Sequence, residues 1–276
     1  MADTIERALR SVVRQIDEKY EVIVVDGGST DGSIQKITML QKEFPAIRLE
    51  KLPRNRRRKI GHDRNTSVRL ARGEYVLLNI DCDDLYGDHL LDWVHCFHLI
   101  EKNKDADILV SGEHINMMKK SLFLKLGGYK NIRFEDRDLW MRCAYEGCWV
   151  RWSHKNFVTR MERTAKQRLF KTFIENGYGT LNDFQQGLSF REFLNIQWRQ
   201  ILKRPTTNSI IKLVYALPLF IISLFIEKLN KDHDFNPSSF SSYKANNTKK
   251  LSELIDAEDE QVIKNFVNTD SKNIFF

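Results

Sequence analysis

The sequence predicts an α/β protein in which a mostly parallel sheet is flanked by helices and followed by a helical C-terminal region. Three observations carry this. Glu21-Val22-Ile23-Val24-Val25-Asp26 is a β-branched run that ends in an acid and enters the turn Gly27-Gly28-Ser29-Thr30-Asp31-Gly32-Ser33, after which apolar residues take helical spacing. Tyr75 to Ile80 is a second short apolar strand, and it runs into Asp81-Cys82-Asp83-Asp84. Helical and strand patterns alternate around both, as in crossover units whose ligands bind where strands end.

Taken in order, residues 3–18 read as a helix. Ile5, Ala8, Leu9, Val12, Val13 and Ile16 share one face, and Asp3-x-x-Glu6 resembles a capping box. The helix after the glycine-rich turn buries Ile34, Ile37, Leu40 and Phe44, and Ile47 to Leu52 is the next strand. Arg54-Asn55-Arg56-Arg57-Arg58-Lys59 places five positive charges in six residues and reads as a solvated loop. Gly61-His62-Asp63-Arg64-Asn65 leads into a short helix closed by Gly73. Leu90, Leu91, Val94, Phe97 and His98 mark another helix, and Asp107 to Ser111 another strand. Leu122 to Leu126 precedes Gly127-Gly128-Tyr129. Phe134-Glu135-Asp136-Arg137-Asp138 then opens a helix with Leu139, Trp140, Cys143 and Ala144 on its apolar side, followed by a strand from Trp149 to Ser153 and by His154.

Composition narrows the chemistry. Among 276 residues, 44 basic against 37 acidic side chains leave a charge of +7, which suits an anionic partner. Nucleic acid is not favoured, because the basic run lacks interleaved aromatics. The four cysteines form no CxxC pair, so reduced thiols are expected, and no basic-then-apolar leader opens the chain.

Three acids lie within four residues at Asp81–Asp84. They repel one another unless a cation sits among them, and oxygen ligands suit Mg²⁺ or Mn²⁺. The alternative is a polar turn in which Asp84 or Asp88 caps the next helix. Asp26, at a strand's carboxyl end, can accept a hydrogen bond from a ligand such as a base N–H. Arg64 and Asn65 are candidates for holding a diphosphate, since guanidinium grips phosphate bidentately. Glu135, Asp136 and Asp138 are more acids than capping requires, and one of them can serve as a general base.

The joint pattern resembles family 2 glycosyltransferases of the GT-A fold. It is carried by Val24-Val25-Asp26-Gly27-Gly28-Ser29-Thr30-Asp31-Gly32-Ser33, Arg64-Asn65, Asp81-Cys82-Asp83-Asp84, Gly127-Gly128-Tyr129 and Glu135-Asp136, over about residues 3–160. The resemblance implies a Rossmann-like nucleotide-diphospho-sugar transferase that moves a sugar from a nucleotide donor to a saccharide or lipid-linked hydroxyl, with inversion. It implies that Asp26, Gly28 and Ser29 contact the nucleotide, with Asp26 on the base, and that Asp81 sits by the ribose or donor sugar. Asp83 would bind Mn²⁺ or Mg²⁺, with His154 as a further ligand. Asp136 would be the base, supported by Glu135. Members usually begin with a strand ending in a Pro-x-Tyr-Asn-like segment, where this chain has Met1-Ala2-Asp3; a sheet lacking that strand is therefore expected. Gln197-Trp198-Arg199-Gln200 is only superficially like the Gln-x-x-Arg-Trp motif of processive synthases, so single transfer is expected. Two other readings are a nucleotidyltransferase and an inactive nucleotide-binding or membrane-scaffold relative.

The expected organisation is a catalytic domain over 1–160, an amphipathic basic region over 161–207, a hydrophobic segment over 208–227 and a polar tail over 228–276. Phe190, Phe193, Leu194, Trp198 and Ile201 share one helical side, and Leu213 to Ile226 carries no charge. These features predict membrane association, with Lys203 and Arg204 keeping the catalytic part cytoplasmic.

Overall fold

The apolar stripe at the start of the chain becomes α1 (Ala2–Val13), with Ile5, Ala8, Leu9, Val12 and Val13 buried. The computed structural model describes residues 2–161, 165–203, 206–229 and 236–276. They fall into two compact units, Met1–Met161 with Asn247–Phe276, and Glu162–Asn246.

In the first unit, β1 (Val22–Asp26), α2 (Ser33–Glu43) and β2 (Ile47–Lys51) make a crossover unit with the two strands parallel. Ile5, Leu9 and Val13 pack there against Val24, Ile37, Leu40 and Ile47, each such burial worth roughly 1.5–3 kcal/mol. Then follow α3 (Ile60–Leu70), β3 (Tyr75–Leu78), β4 (Asp84–Tyr86), α4 (Leu90–Lys104), β5 (Leu109–Ser111), β6 (Asn116–Lys119), α5 (Lys120–Lys125), α6 (Glu135–Tyr145), β7 (Trp149–Trp152) and β8 (Val158–Arg160). Trp93, Val94, Phe97 and Ile100 of α4 cover the sheet residues Val110, Met117 and Trp152.

The sheet corrects the expectation of mostly parallel strands. β6 lies antiparallel between β3 and β5, and β4 pairs antiparallel with β8, while β5 and β7 are parallel. The cause is the short turn between β5 and β6, where the Gly112 N–H donates to the Ile115 carbonyl at 2.8 Å. A connection that short can join only antiparallel neighbours. Among the described residues, β1 pairs with β2 and β3 pairs with β6, so the β1–β2 ladder stands separate from the larger sheet.

The second unit is helical: α7 (Ala165–Gln185), α8 (Phe190–Lys203), α9 (Thr207–Ser223) and α10 (Pro237–Asn247), the last ending at the unit boundary. Phe184, Leu188, Phe193 and Ala216 form its core, with Phe190, Leu219 and Phe220 packed against them. The membrane expectation is corrected here. The apolar α9 has 17 residues and contains Pro218. It spans ~26 Å against a hydrocarbon core of ~30 Å, and Lys212 interrupts it. Among the described residues no helix is long and apolar enough to cross a membrane. The expected membrane-associated segment at 208–227, and the membrane-associated chain with a cytoplasmic catalytic part, fall with that. Residues 162–164, 204–205 (including the flanking Arg204) and 230–235 lie outside the described residues.

The C-terminal segment returns to the first unit. Its strand β9 (Thr248–Lys249) pairs parallel with β7, completing the order β3-β6-β5-β7-β9. Leu251, Leu254, Ile263, Val267 and Phe275, the last three carried on or beside α11 (Ala257–Phe266) and α12 (Thr269–Phe275), enter the core that α4 covers.

Candidate active site

Asp26 ends β1 as a buried carboxylate. Its Oδ1 accepts the amide N–H groups of Gly28 at 2.9 Å and Ser29 at 2.8 Å. Burial pushes its pKa up, but the Ser29 and Gly28 hydrogen bonds outweigh burial and hold it below the usual carboxylate range. Gly28 has φ of +96°, and a Cβ there would lie 2.8 Å from the Arg54 side chain and 2.9 Å from its backbone. Only glycine fits. Part of the basic run is thereby docked rather than solvated: Arg58 donates to the Gly27 carbonyl at 3.2 Å and pairs with Asp63 at 2.7 Å.

The loop after β3 spreads its acids in different directions. Asp84, opposite Arg160 in the β4–β8 ladder, is buried and accepts from Arg160 Nε at 3.0 Å. Asp81 accepts from Arg64 Nη2 at 2.6 Å and from Arg160 Nη2 at 3.4 Å. Asp83 is buried, and its backbone carbonyl accepts the Met161 N–H at 2.8 Å. Neither Asp84 nor Asp88 caps α4, whose N-cap is His89 without a side-chain bond.

Arg64, on α3, joins this loop to the start of α6. One Nη donates to Asp81 and the other to Glu135 Oε1, each at 2.6 Å. Burial pulls its pKa down, but Asp81 and its other neighbours more than reverse that, so it stays protonated. Glu135 is buried, and burial raises its pKa against the pull of Arg64. Asn65 clasps the glycine turn: Nδ2 donates to the Tyr129 carbonyl at 2.7 Å, and Oδ1 accepts the Tyr129 N–H at 2.8 Å. Both ends of that amide are therefore committed to protein.

The three acids of α6 divide their work. Asp138 is fully buried and pairs with Arg142 at 2.8 Å and Lys130 at 3.3 Å. Arg142 also donates to the Leu126 and Gly128 carbonyls, tying the Gly127-Gly128 turn to the helix. Glu135 is held by Arg64. Asp136, half-buried, accepts the Arg137 N–H at 2.8 Å and Asn79 Nδ2 at 3.3 Å.

His154 stands elsewhere. Its Nε2 accepts the Trp93 indole N–H at 3.1 Å and the Glu113 N–H at 3.0 Å, while Nδ1 donates to the Lys155 carbonyl at 2.8 Å. Burial pushes its pKa down to about 4, so it is a neutral ring among Trp152, Phe157 and Phe275. Among the described residues no group of three His, Cys, Asp or Glu side chains is arranged to hold a metal ion. The site thus gathers Asp81, Arg64, Glu135 and Asp136, and leaves His154 apart. Arg160 and Asn79 are the participants that sequence reasoning missed. Asn79, two residues before Asp81, lies in the stretch that leads into the acids; Arg160, 76 residues from Asp84, carried no signal.

The sequence model of the family described as "Glycosyl transferase family 2" matches residues 2–174. An uncharacterized glycosyltransferase YfnE of Bacillus subtilis is 33% identical over 99 residues, covering 36% of this chain and 23% of the relative. A poly(ribitol-phosphate) beta-glucosyltransferase of Bacillus spizizenii is 33% identical over 109 residues, covering 38% of this chain and 16% of the relative. The matched stretch thus spans less than a quarter of either relative. Among solved structures, the mannosyltransferase PcManGT from Pyrobaculum calidifontis, in complex with GDP-Man and Mn²⁺, superposes with a TM-score of 0.54 at 17% identity, covering 96% of this chain and 80% of that one. S. aureus TarS 1-349 gives 0.51 at 16% identity, covering 80% and 77%, and TarS in complex with UDP gives 0.50 at 15%, with the same coverage. At such identity these likenesses show a shared GT-A-like α/β fold.

Proposed function

Because the chain belongs to glycosyl transferase family 2, we propose that it moves a sugar from a nucleotide-diphospho-sugar to a hydroxyl of a glycan acceptor, with inversion, one sugar per encounter. The observation that carries this is the Arg64 bridge, which ties the acidic loop after β3 to the carboxylates that open α6. In this reading Asp26 accepts from the nucleobase, beside the Gly28 and Ser29 amides, and Asp81 faces the ribose or donor sugar. Asp136 takes the proton of the acceptor hydroxyl as its oxygen bonds to the anomeric carbon. The bond from that carbon to the diphosphate oxygen breaks on the opposite face, and its electron pair leaves with the nucleoside diphosphate. Glu135, buried and paired, is support rather than base.

A divalent cation suits the carboxylates of the acidic loop, because Mg²⁺ and Mn²⁺ are commonly held by one or two carboxylates and completed by substrate phosphates. Asp83 would hold it, and when bound it would neutralise charge on the departing diphosphate. His154, with its hydrogen bonds committed to protein, is the weaker candidate ligand.

The test is a thermal-shift titration with UDP, GDP, CDP and TDP, each with and without Mn²⁺, paired with nucleoside diphosphate release from UDP-glucose, UDP-GlcNAc and GDP-mannose. A nucleotide at a hundred times its Kd raises stability by about 2.7 kcal/mol. One nucleotide should shift the melt in a Mn²⁺-dependent way, and Asp83→Ala should abolish the dependence. Asp136→Asn should keep the shift and lose release by about 100-fold or more. Release by D136N at the wild-type rate refutes the assignment of the base.

A further inference from the structure

β3 ends at Leu78, and the chain must swing out of the sheet into the acidic loop. It turns at Asn79, whose φ is 66°. Asparagine is among the few non-glycine residues that enter this left-handed region readily. The turn alone does not require an amide, since glycine would meet it with less strain. Yet the amide is used at both ends. A carboxylate can only accept, so the Asn79 atom facing Asp136 must be nitrogen, and the oxygen is left to face Tyr129. Nδ2 donates to Asp136 Oδ2 at 3.3 Å, and Oδ1 accepts the Tyr129 O–H at 2.8 Å.

Tyr129 is itself immobilised. It is buried, its ring meets Phe123 edge-on at 5.2 Å, and its backbone is clasped on both sides by Asn65. The Arg137 N–H occupies Asp136 Oδ1 at 2.8 Å. Each carboxylate oxygen thus has one fixed donor, and lone pairs remain for an incoming proton.

We propose that Asn79, oriented by the Tyr129 hydroxyl, is the positioning residue for Asp136, setting the plane in which its carboxylate meets the acceptor. This rests on the reading of Asp136 as the base. The relay runs from the Asn65 clasp through Tyr129 and Asn79 to the carboxylate, so the Gly127-Gly128-Tyr129 turn serves the chemistry as well as the fold.

The test uses the full chain and nucleoside diphosphate release with water as acceptor, from whichever of UDP-glucose, UDP-GlcNAc or GDP-mannose responds with Mn²⁺. Asn79→Gly keeps the backbone conformation and removes the amide; Asn79→Asp keeps an acceptor for Tyr129 and removes the donor. Both should lower kcat by about 10- to 100-fold, with the donor KM within about twofold. Tyr129→Phe should lower kcat by about 3- to 10-fold, and its effect should vanish in the N79G background. A purely structural turn predicts instead that N79G keeps wild-type kcat, and that result overturns the proposal. So do losses of N79G and Y129F that multiply, or a change confined to KM. Asp136→Asn runs alongside. If D136N is inactive while N79G and Y129F are unaffected, only the positioning role fails; if D136N is active, the base assignment fails first. Should the wild type release nothing, the melting midpoints of N79G, D136N and their double variant still decide the contact, because additive shifts refute it and non-additive shifts uphold it.

Discussion

Replacing Arg64 with methionine removes the charge that joins two loops while keeping most of the side-chain volume. Its side chain is 17% exposed, against 6% for Glu135 and 28% for Asp81. Removing one partner from a buried pair costs about 3–5 kcal/mol, because the other charge is left without compensation. Asp81 is more solvated and keeps Arg160, so it adds little. The expected loss is thus about 3–4 kcal/mol, mostly from Glu135. At about 2–4 °C per kcal/mol, the midpoint should fall by roughly 10 °C. The pH dependence identifies the cause. A carboxyl whose folded pKa lies above its unfolded value binds more protons when folded, so it favours folding at low pH and opposes it as pH rises through the folded value. Glu135 is already raised by burial, and Arg64 is what restrains it. Without Arg64 the rise is larger, so the stability deficit should widen between about pH 5 and pH 8. Urea melts of both proteins at the two pH values measure this. A deficit that is equal at both, or larger at pH 5, refutes the electrostatic account and leaves only lost packing.

Gly28→Ala should cost more than Gly32→Ala. Both positions have positive φ, but only Gly28 has a backbone within van der Waals range of the added methyl. The Gly32 change should therefore cost about 1–2 kcal/mol and leave nucleotide-induced shifts intact, whereas the Gly28 change should cost more and weaken them; equal effects in melts and titrations would count against the close-packed turn. His154→Gln tests a different linkage. With a folded pKa of about 4, below the ~6.5 of an exposed histidine, His154 contributes stability above about pH 6.5 that is lost as pH falls toward 4, up to roughly 3 kcal/mol. The variant should lack that acid-side loss in pH-dependent melts, and its Mn²⁺ response should match wild type; a lost Mn²⁺ response would make the histidine a ligand.

The sequence could be read wherever the governing interaction is local. The spacing of Ile5, Leu9 and Val13 located α1 and its buried face, and the β-branched run before Gly27-Gly28 located β1 and the turn that holds Asp26. The same holds for the acids before α4 and at the head of α6, because charge repulsion and helix-end electrostatics act over a few residues. The family pattern was legible for that reason. What those acids do was not. For Asp84 the sequence left open a helix cap or a place among three acids around a cation, and the fold pairs it with Arg160, 76 positions away. Asn65 suited a diphosphate by type, and only the fold shows both ends of its amide spent on Tyr129.

By itself, then, the sequence determined the α/β class, the order of most elements and the residue types at the ends of β1 and β3. Tertiary structure decided the antiparallel insertion of β6, the return of Leu251, Ile263 and Phe275 to the core beneath α4, and the Arg64 bridge that makes one site of two loops. It also decided that α9 turns Ala216 into a helical core with Phe184 and Phe193, where its composition alone suggested a membrane. Periodicity and turn chemistry are short-range and leave their mark on neighbouring residues. A hydrogen bond between residues far apart in the chain leaves none, because it forms only after folding has met the entropy of closing the loop between them.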